Sequence, residues 1–147
     1  MTRFNALPKK YQNKDGSKKI YVPEEQKTAK LVIPGQFPTM NKIINTAKTH
    51  WTKYRKMKES EDEKVCWYAT QQKIPLFEKA KLKITYIRKN SRTDPDNVVV
   101  AKKFILDGLV QAGVLIDDTC KHIKGFEESW EVDKEKPRTI IEFEGVK

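Results

Sequence analysis

No stretch of this sequence approaches the roughly 20 consecutive apolar residues that a membrane-spanning helix needs. With 34% charged side chains and a mean hydropathy of -0.74, the chain is expected to be soluble and to have no membrane partner. The opening Met1-Thr2-Arg3-Phe4-Asn5-Ala6-Leu7-Pro8 lacks the apolar centre of a secretory signal. Cysteine is scarce: Cys66 and Cys120 stand in no Cys-x-x-Cys or Cys/His spacing, which argues against a zinc site or a redox motif. Both are expected to be reduced, in a cytoplasm. Internal repeats, low-complexity tracts and a domain linker are absent, and 147 residues suit one domain with a core of its own.

What the chain has in excess is positive charge, thirty Lys and Arg against twenty Asp and Glu, for a formal net charge of +10. That balance favours a polyanionic partner, because clustered cations displace counterions from nucleic-acid phosphates. Residues 1–28 read as a basic arm or as a hairpin turning at Asp15-Gly16, ahead of a domain over 29–147. Leu31-Val32-Ile33-Pro34 reads as a short buried strand, and the Gly35-Gln36-Phe37-Pro38 turn delivers the chain to a helix starting near Thr39 or Asn41. Ile44, Ala47, Trp51 and Tyr54, then Val65, Tyr68 and Gln72, recur at helical spacing, as one long helix or two broken near Lys58 to Asp62. The opposite face carries Lys53, Arg55 and Lys56, which could track a phosphate backbone or be a solvated face over an aromatic stripe. His50, with no acid or cysteine at ligand spacing, reads as an ordinary helix residue.

Ala80 to Arg88 alternates in the two-residue period of a half-buried strand, with Leu82, Ile84 and Tyr86 facing one way and lysines the other. From Pro95 to Ala112 the period is helical, with Val98, Ala101, Ile105, Leu109 and Ala112 in one stripe and Gly113 as terminator. His122 to Val132 and Arg138 to Phe143 read as antiparallel strands joined across Asp133 to Pro137. The order strand, helix, strand, helix, strand, strand predicts a single α/β (α+β) domain, a mixed sheet with two main helices packed against it.

Against the basic background four carboxylates gather in two tight clusters, Asp94 with Asp96 and Asp117 with Asp118. Asp94-Pro95-Asp96-Asn97 has a structural explanation as N-cap, first helical residue and dipole-facing acid. Asp117-Asp118 gains nothing from a helix dipole, though it could be a plain turn. Together the clusters point to a hard cation, because Mg²⁺ is commonly held by one or two carboxylates with water and substrate phosphate. Lys103 lies seven positions after Asp96 and therefore on the same helical face, where an ammonium can stabilise transition-state charge. Its structural alternative is an i,i+4 pair with Asp107, and Lys102 points elsewhere. Arg88, Lys89 and Arg92 form a basic approach to Asp94. A dehalogenase-type phosphatase motif lacks its later glycine-aspartate partner, and an EF-hand lacks its glycine and its final glutamate, the chain having Val99 and Ile105 there.

Arg92-Thr93-Asp94-Pro95-Asp96-Asn97, Lys103-Phe104-Ile105-Leu106-Asp107-Gly108-Leu109 and Ala112-Gly113-Val114-Leu115-Ile116-Asp117-Asp118 together resemble the RusA family of Holliday-junction resolvases. The resemblance extends to Leu31-Val32-Ile33-Pro34 with Pro38 and Asn41, and so covers most of residues 30–145. It implies a homodimeric, Mg²⁺-dependent endodeoxyribonuclease, with Mn²⁺ as a substitute ion, that nicks four-way DNA junctions in pairs in the bacterial cytoplasm, often encoded by prophages. Carried over by position, the catalytic acids fall on Asp94, Asp96 and Asp118, with Asp117 beside them as a further metal ligand. The family's lysine falls on Lys103 counted back from Asp107. That count needs a short insertion after Asn97 and leaves Lys102 as the competing assignment; Lys102 otherwise joins Arg88, Lys89, Arg92, Lys53, Arg55 and Lys56 as a DNA contact. Residues 1–28 have no counterpart in the family.

A straight helix from Pro95 to Ala112 would be about 27 Å long, and the three residues Val114-Leu115-Ile116 span only about 10 Å. Asp96 and Asp118 therefore start at opposite ends, so the helix is short or bent, or one site draws carboxylates from two subunits. The rival readings are a non-catalytic nucleic-acid-binding module and a nuclease acting on other branched DNA such as flaps or forks.

Overall fold

Why the chain folds as it does is clearest at Ala80–Arg88, where Leu82, Ile84 and Tyr86 are buried and Lys81 and Lys83 are exposed. The structure, a computed structural model, describes residues 22–147. The anticipated arm or hairpin over residues 1–28 lies outside the described residues as far as residue 21. From Glu24 on the chain is fastened to the domain: Glu24 accepts hydrogen bonds from the backbone N–H groups of Glu78 and Lys79 and pairs with Lys27 at 3.0 Å.

Four strands form one mixed sheet: β1 (Thr28–Pro34), β2 (Ala80–Arg88), β3 (Ile123–Val132) and β4 (Arg138–Gly145). Their spatial order is β1-β4-β2-β3, with β4 antiparallel to both β1 and β2 and with β3 parallel to β2. The register puts Leu31, Ile141 and Ile84 in one row and Ile33, Thr139 and Tyr86 in the next. Helices cover that face: α1 (Met40–Thr49), α2 (Trp51–Gln71), the short α3 (Pro95–Val98) and α4 (Lys102–Gln111). Val65 and Ala69 of α2 meet Ile105 and Leu109 of α4 in the core shared with the strands. The fold is the expected α+β domain with a mixed sheet.

Three local expectations are corrected. The long helix breaks at His50, whose extended backbone (φ -150°, ψ 115°) ends α1 and begins α2, while Lys58 to Asp62 is continuous helix. That charged run holds because Lys58 bonds Asp62 one turn on, at 2.6 Å. The aromatic stripe is not core in its first half, since Ile44 is 41% and Trp51 66% exposed, and burial begins at Val65. Finally, β3 and β4 run antiparallel but do not pair. Strand β2 lies between them, and the connection crosses its end, where the Asp133 N–H donates to the Arg88 carbonyl.

The stripe Val98, Ala101, Ile105 and Leu109 is buried as its spacing predicts, yet it is not one helix. A 3-10 turn, Val99–Ala101, separates α3 from α4. Val98, Val99 and Val100 are three β-branched residues in succession, whose restricted side chains crowd the preceding helical turn.

Candidate metal and nucleic-acid site

The approach to the acids is built by hydrogen bonds at the end of β2. The Lys89 N–H donates to Gln36 Oε1 at 2.8 Å, and Asn90 Oδ1 accepts from the Arg92 N–H at 3.0 Å, turning the chain toward Asp94. Asp94 then occupies the N-cap position of α3, with Pro95 at the first helical position and Asp96 in the first turn. Its carbonyl accepts from the Asn97 N–H at 3.0 Å, but its side chain makes no capping hydrogen bond. The cap position is thus filled while the carboxylate that would serve it is left exposed, as is that of Asp96.

Past the 3-10 turn the two lysines at the start of α4 diverge. Lys102 reaches β3, bonding Glu128 at 2.6 Å and lying 4.6 Å from the centre of the Phe126 ring. Glu128 also accepts from the buried Tyr86 hydroxyl at 3.0 Å. Lys103 points the other way, 3.2 Å from Asp107 and 3.6 Å from Asp118. The anticipated i,i+4 pair with Asp107 is therefore present, the 3-10 turn interrupts the helical face that Lys103 was expected to share with Asp96, and Asp118 is an added partner. Asp118 comes within reach because Gly113, at φ +77°, reverses the chain after α4. The Val114 N–H closes that turn on the Leu109 carbonyl at 2.9 Å, and the Val114 carbonyl accepts from the Phe77 N–H at 2.8 Å. Asp117 orders its own neighbour, accepting from the Asp118 N–H at 2.8 Å.

Two residues that sequence reasoning passed over complete this cluster. Lys58 of α2 bridges Asp62 at 2.6 Å and Asp107 at 2.8 Å, so Asp62, Lys58, Asp107, Lys103 and Asp118 form a continuous chain of alternating charge across the α2–α4 contact. The available signal was the i,i+4 spacing of Lys58 and Asp62; the link to Asp107 is tertiary. Partial burial works against the Lys58 ammonium, but its bonds to Asp107 and Asp62 prevail and lift its pKa above the ordinary lysine value. Burial likewise opposes the Asp107 carboxylate, and the two lysines outweigh it, holding its pKa below the usual range. Burial dominates at Asp62 and raises its pKa, and its Oδ1 is buried with no hydrogen-bond partner. The hydrogen bond to Asp107, with Asp118 adding to it, raises the Lys103 pKa.

The other predicted contacts are spread over the surface. Arg88 is half-buried, donating to the Phe37 carbonyl at 3.2 Å, whereas Lys89 and Arg92 are exposed beside Asp94. Lys53, Arg55 and Lys56 are exposed along α2, Arg55 lying 3.8 Å from Glu59. The structure thus brings Asp118 to Lys103 and leaves Asp94 and Asp96 beyond the 3-10 turn. Among the described residues, no three His, Cys, Asp or Glu side chains gather as a group able to hold a metal ion. Also among them, no helix is long and apolar enough to cross a membrane, and Cys66 and Cys120 are free. No protein-family model matches the chain, and a search of curated proteins finds no match either.

Proposed function

We propose that this protein is a Mg²⁺-dependent endonuclease acting on branched DNA, with the four-way junction as its substrate and the bacterial cytoplasm as its setting. The observation that carries the reading is the meeting of Lys103 with Asp118, an acid from a separate loop, in a domain that also leaves Asp96 exposed and the Asp94 carboxylate exposed without a capping hydrogen bond. The donors fit a hard cation, since all four are carboxylates and Mg²⁺ needs only one or two of them. When bound, the ion would activate a water and neutralise charge at the phosphorus. Asp94 and Asp96 would hold it from one side and Asp118 from the other, with Asp117 fixing the Asp118 backbone. A second subunit would draw the two sides together, because among the described residues no three acids within one chain gather as a group able to hold a metal ion.

Lys103 is suited to stabilising charge and not to taking a proton, because Asp107 and Asp118 raise its pKa and keep it cationic at neutral pH. Asp107 orients that ammonium, and Lys58 in turn holds Asp107. Lys102, committed to Glu128, belongs to the scaffold or to backbone binding and not to the reacting phosphate. Lys89 and Arg92, both exposed, would grip the strand entering the site, with Arg88 held back by the Phe37 carbonyl. A symmetric dimer accounts for paired cuts on a substrate of near two-fold symmetry.

The rival reading, a binding module without catalysis, is favoured by the scattered carboxylates. A synthetic four-way junction incubated with Mg²⁺ separates the two. Strand cutting is expected, abolished in Asp96→Asn and Asp118→Asn with junction binding retained, and lowered about 100-fold in Lys103→Ala but not in Lys102→Ala. Binding without cutting by the native protein favours the module, and unchanged cutting by Asp96→Asn removes the proposed site. A panel of flaps and forks sets the junction against other branched DNA.

A further inference from the structure

Strand β3 is covered by helices at one end only. Its helix-facing side carries Phe126, Glu128, Trp130 and Val132, opposite Leu82, Ile84, Tyr86 and Arg88 in register. Lys102 of α4 lies over Phe126 and bonds Glu128, but only the four-residue α3 stands near Trp130, which is 52% exposed. The other tryptophans have aromatic neighbours, Trp51 with Tyr54 at 5.2 Å and Trp67 with Tyr68 at 4.9 Å between ring centroids. Trp130 has none among the described residues. It instead walls a cleft of about 190 Å³ whose other lining includes Arg88, Asn90, Thr93, Asp94 and Pro95.

The cleft therefore combines an unused indole face with polar groups of both kinds. Asp94 offers a carboxylate acceptor, and Asn90, whose oxygen is taken by the Arg92 N–H, keeps its amide hydrogens for an acceptor. Lys89 and Arg92 stand exposed at its approach. A planar ring with donors and acceptors on its edge and a phosphate attached matches those features. We infer that this cleft takes a nucleobase unstacked from its neighbours, with Trp130 as its stacking platform. A base inside continuous duplex cannot present its face to the indole, so the cleft discriminates in favour of branch points and single strands. The inference deepens the proposed function and rests only on its nucleic-acid side.

Trp51→Phe with Trp67→Phe leaves Trp130 as the sole tryptophan, and its emission can be followed without divalent metal, so that nothing is cut. Quenching is expected on adding a four-way junction or a single-stranded oligonucleotide, and little on adding unbroken duplex. Trp130→Ala should bind the junction about ten-fold more weakly and duplex equally well, while Trp130→Phe keeps most of the junction affinity and, with an unchanged circular dichroism spectrum, excludes a folding defect. Emission that stays unmoved at saturating junction, or Trp130→Ala binding as tightly as the parent, overturns the inference. So does equal quenching by a mononucleotide at the same concentration, which would make the cleft a free-nucleotide site. Quenching without strand cutting in Mg²⁺ supports the cleft and removes the nuclease, whereas cutting with unmoved emission does the reverse.

Discussion

Replacing Gly108 by alanine tests the helix contact on which the charge cluster depends. A Cβ built at Gly108 would stand 2.5 Å from Val65 Cβ, 2.7 Å from the Asp62 carbonyl oxygen and 2.8 Å from Val65 Cγ1. Ordinary carbon contacts lie at about 3.5–4 Å. A backbone oxygen and a Cβ cannot rotate away, so α2 and α4 must separate by roughly 1 Å. Such overpacking costs about 1–3 kcal/mol, here toward the upper end, while alanine regains about 1 kcal/mol of helix propensity. The net expectation is a loss of about 2 kcal/mol, a fall in Tm of about 6–8 °C for a chain of this size. Urea unfolding should show a lower midpoint with an unchanged slope. Gly113→Ala is the control: it has open space around it and loses only from its φ of +77°, about 1 kcal/mol. A Gly108→Ala protein as stable as the parent, or more stable, refutes the close approach and with it the position given to Lys58 and Asp107.

Two further expectations follow from the same charges. Lys58→Met leaves Asp62 without its cation and Asp107 with Lys103 alone; removing one partner of a fully buried pair costs about 3–5 kcal/mol, and the partial exposure here, with Lys103 still on Asp107, reduces that to about 1–2 kcal/mol, read as a lower urea midpoint. Stability should also fall as pH rises past about 10. The pKa values of Lys58, Lys103 and Tyr86 are all raised in the folded state, Tyr86 chiefly by burial, so above their unfolded values the unfolded chain loses protons that the native one keeps. Tyr86→Phe should flatten part of that alkaline decline, measured by urea unfolding across pH 8 to about 11; an unaltered slope would count against the buried hydroxyl's contribution.

Periodicity made much of this fold legible. The alternation along β2 and the stripe from Val98 to Leu109 are burial patterns, and burial is what hydrophobic spacing encodes. Strand order is encoded elsewhere: the short Asp133 to Pro137 connection suggests neighbours, but β2 enters between β3 and β4 because its rows of Leu82, Ile84 and Tyr86 match Ile141 and Thr139. The break at His50 carries no glycine or proline to announce it. In the candidate site, the acids were legible as types against a basic background, and so was Lys103. Their grouping was not, because the Lys58 link and the Asp118 contact arise from the packing of α2 on α4 and from the Gly113 reversal.

The geometry also sharpens the question of where Asp96 and Asp118 meet. The expected straight helix would have held them at its two ends; the chain reversal at Gly113 brings Asp118 back along α4 to Lys103 in its first turn. Asp94 and Asp96 remain beyond the 3-10 turn Val99–Ala101, at a helix of four residues. If a dimer composes each site from the Asp96 side of one subunit and the Asp118 side of the other, subunit mixing reveals it. Asp96→Asn and Asp118→Asn proteins are each expected to be inactive alone. Co-refolded, their heterodimer would contain one composite site with both acids intact and one with neither, so single-strand nicking of a junction should return while paired resolution does not. Sites formed within single chains would each carry one lesion in that heterodimer, and a mixture that stays inactive, with heterodimers shown by native mass spectrometry, would refute the shared arrangement.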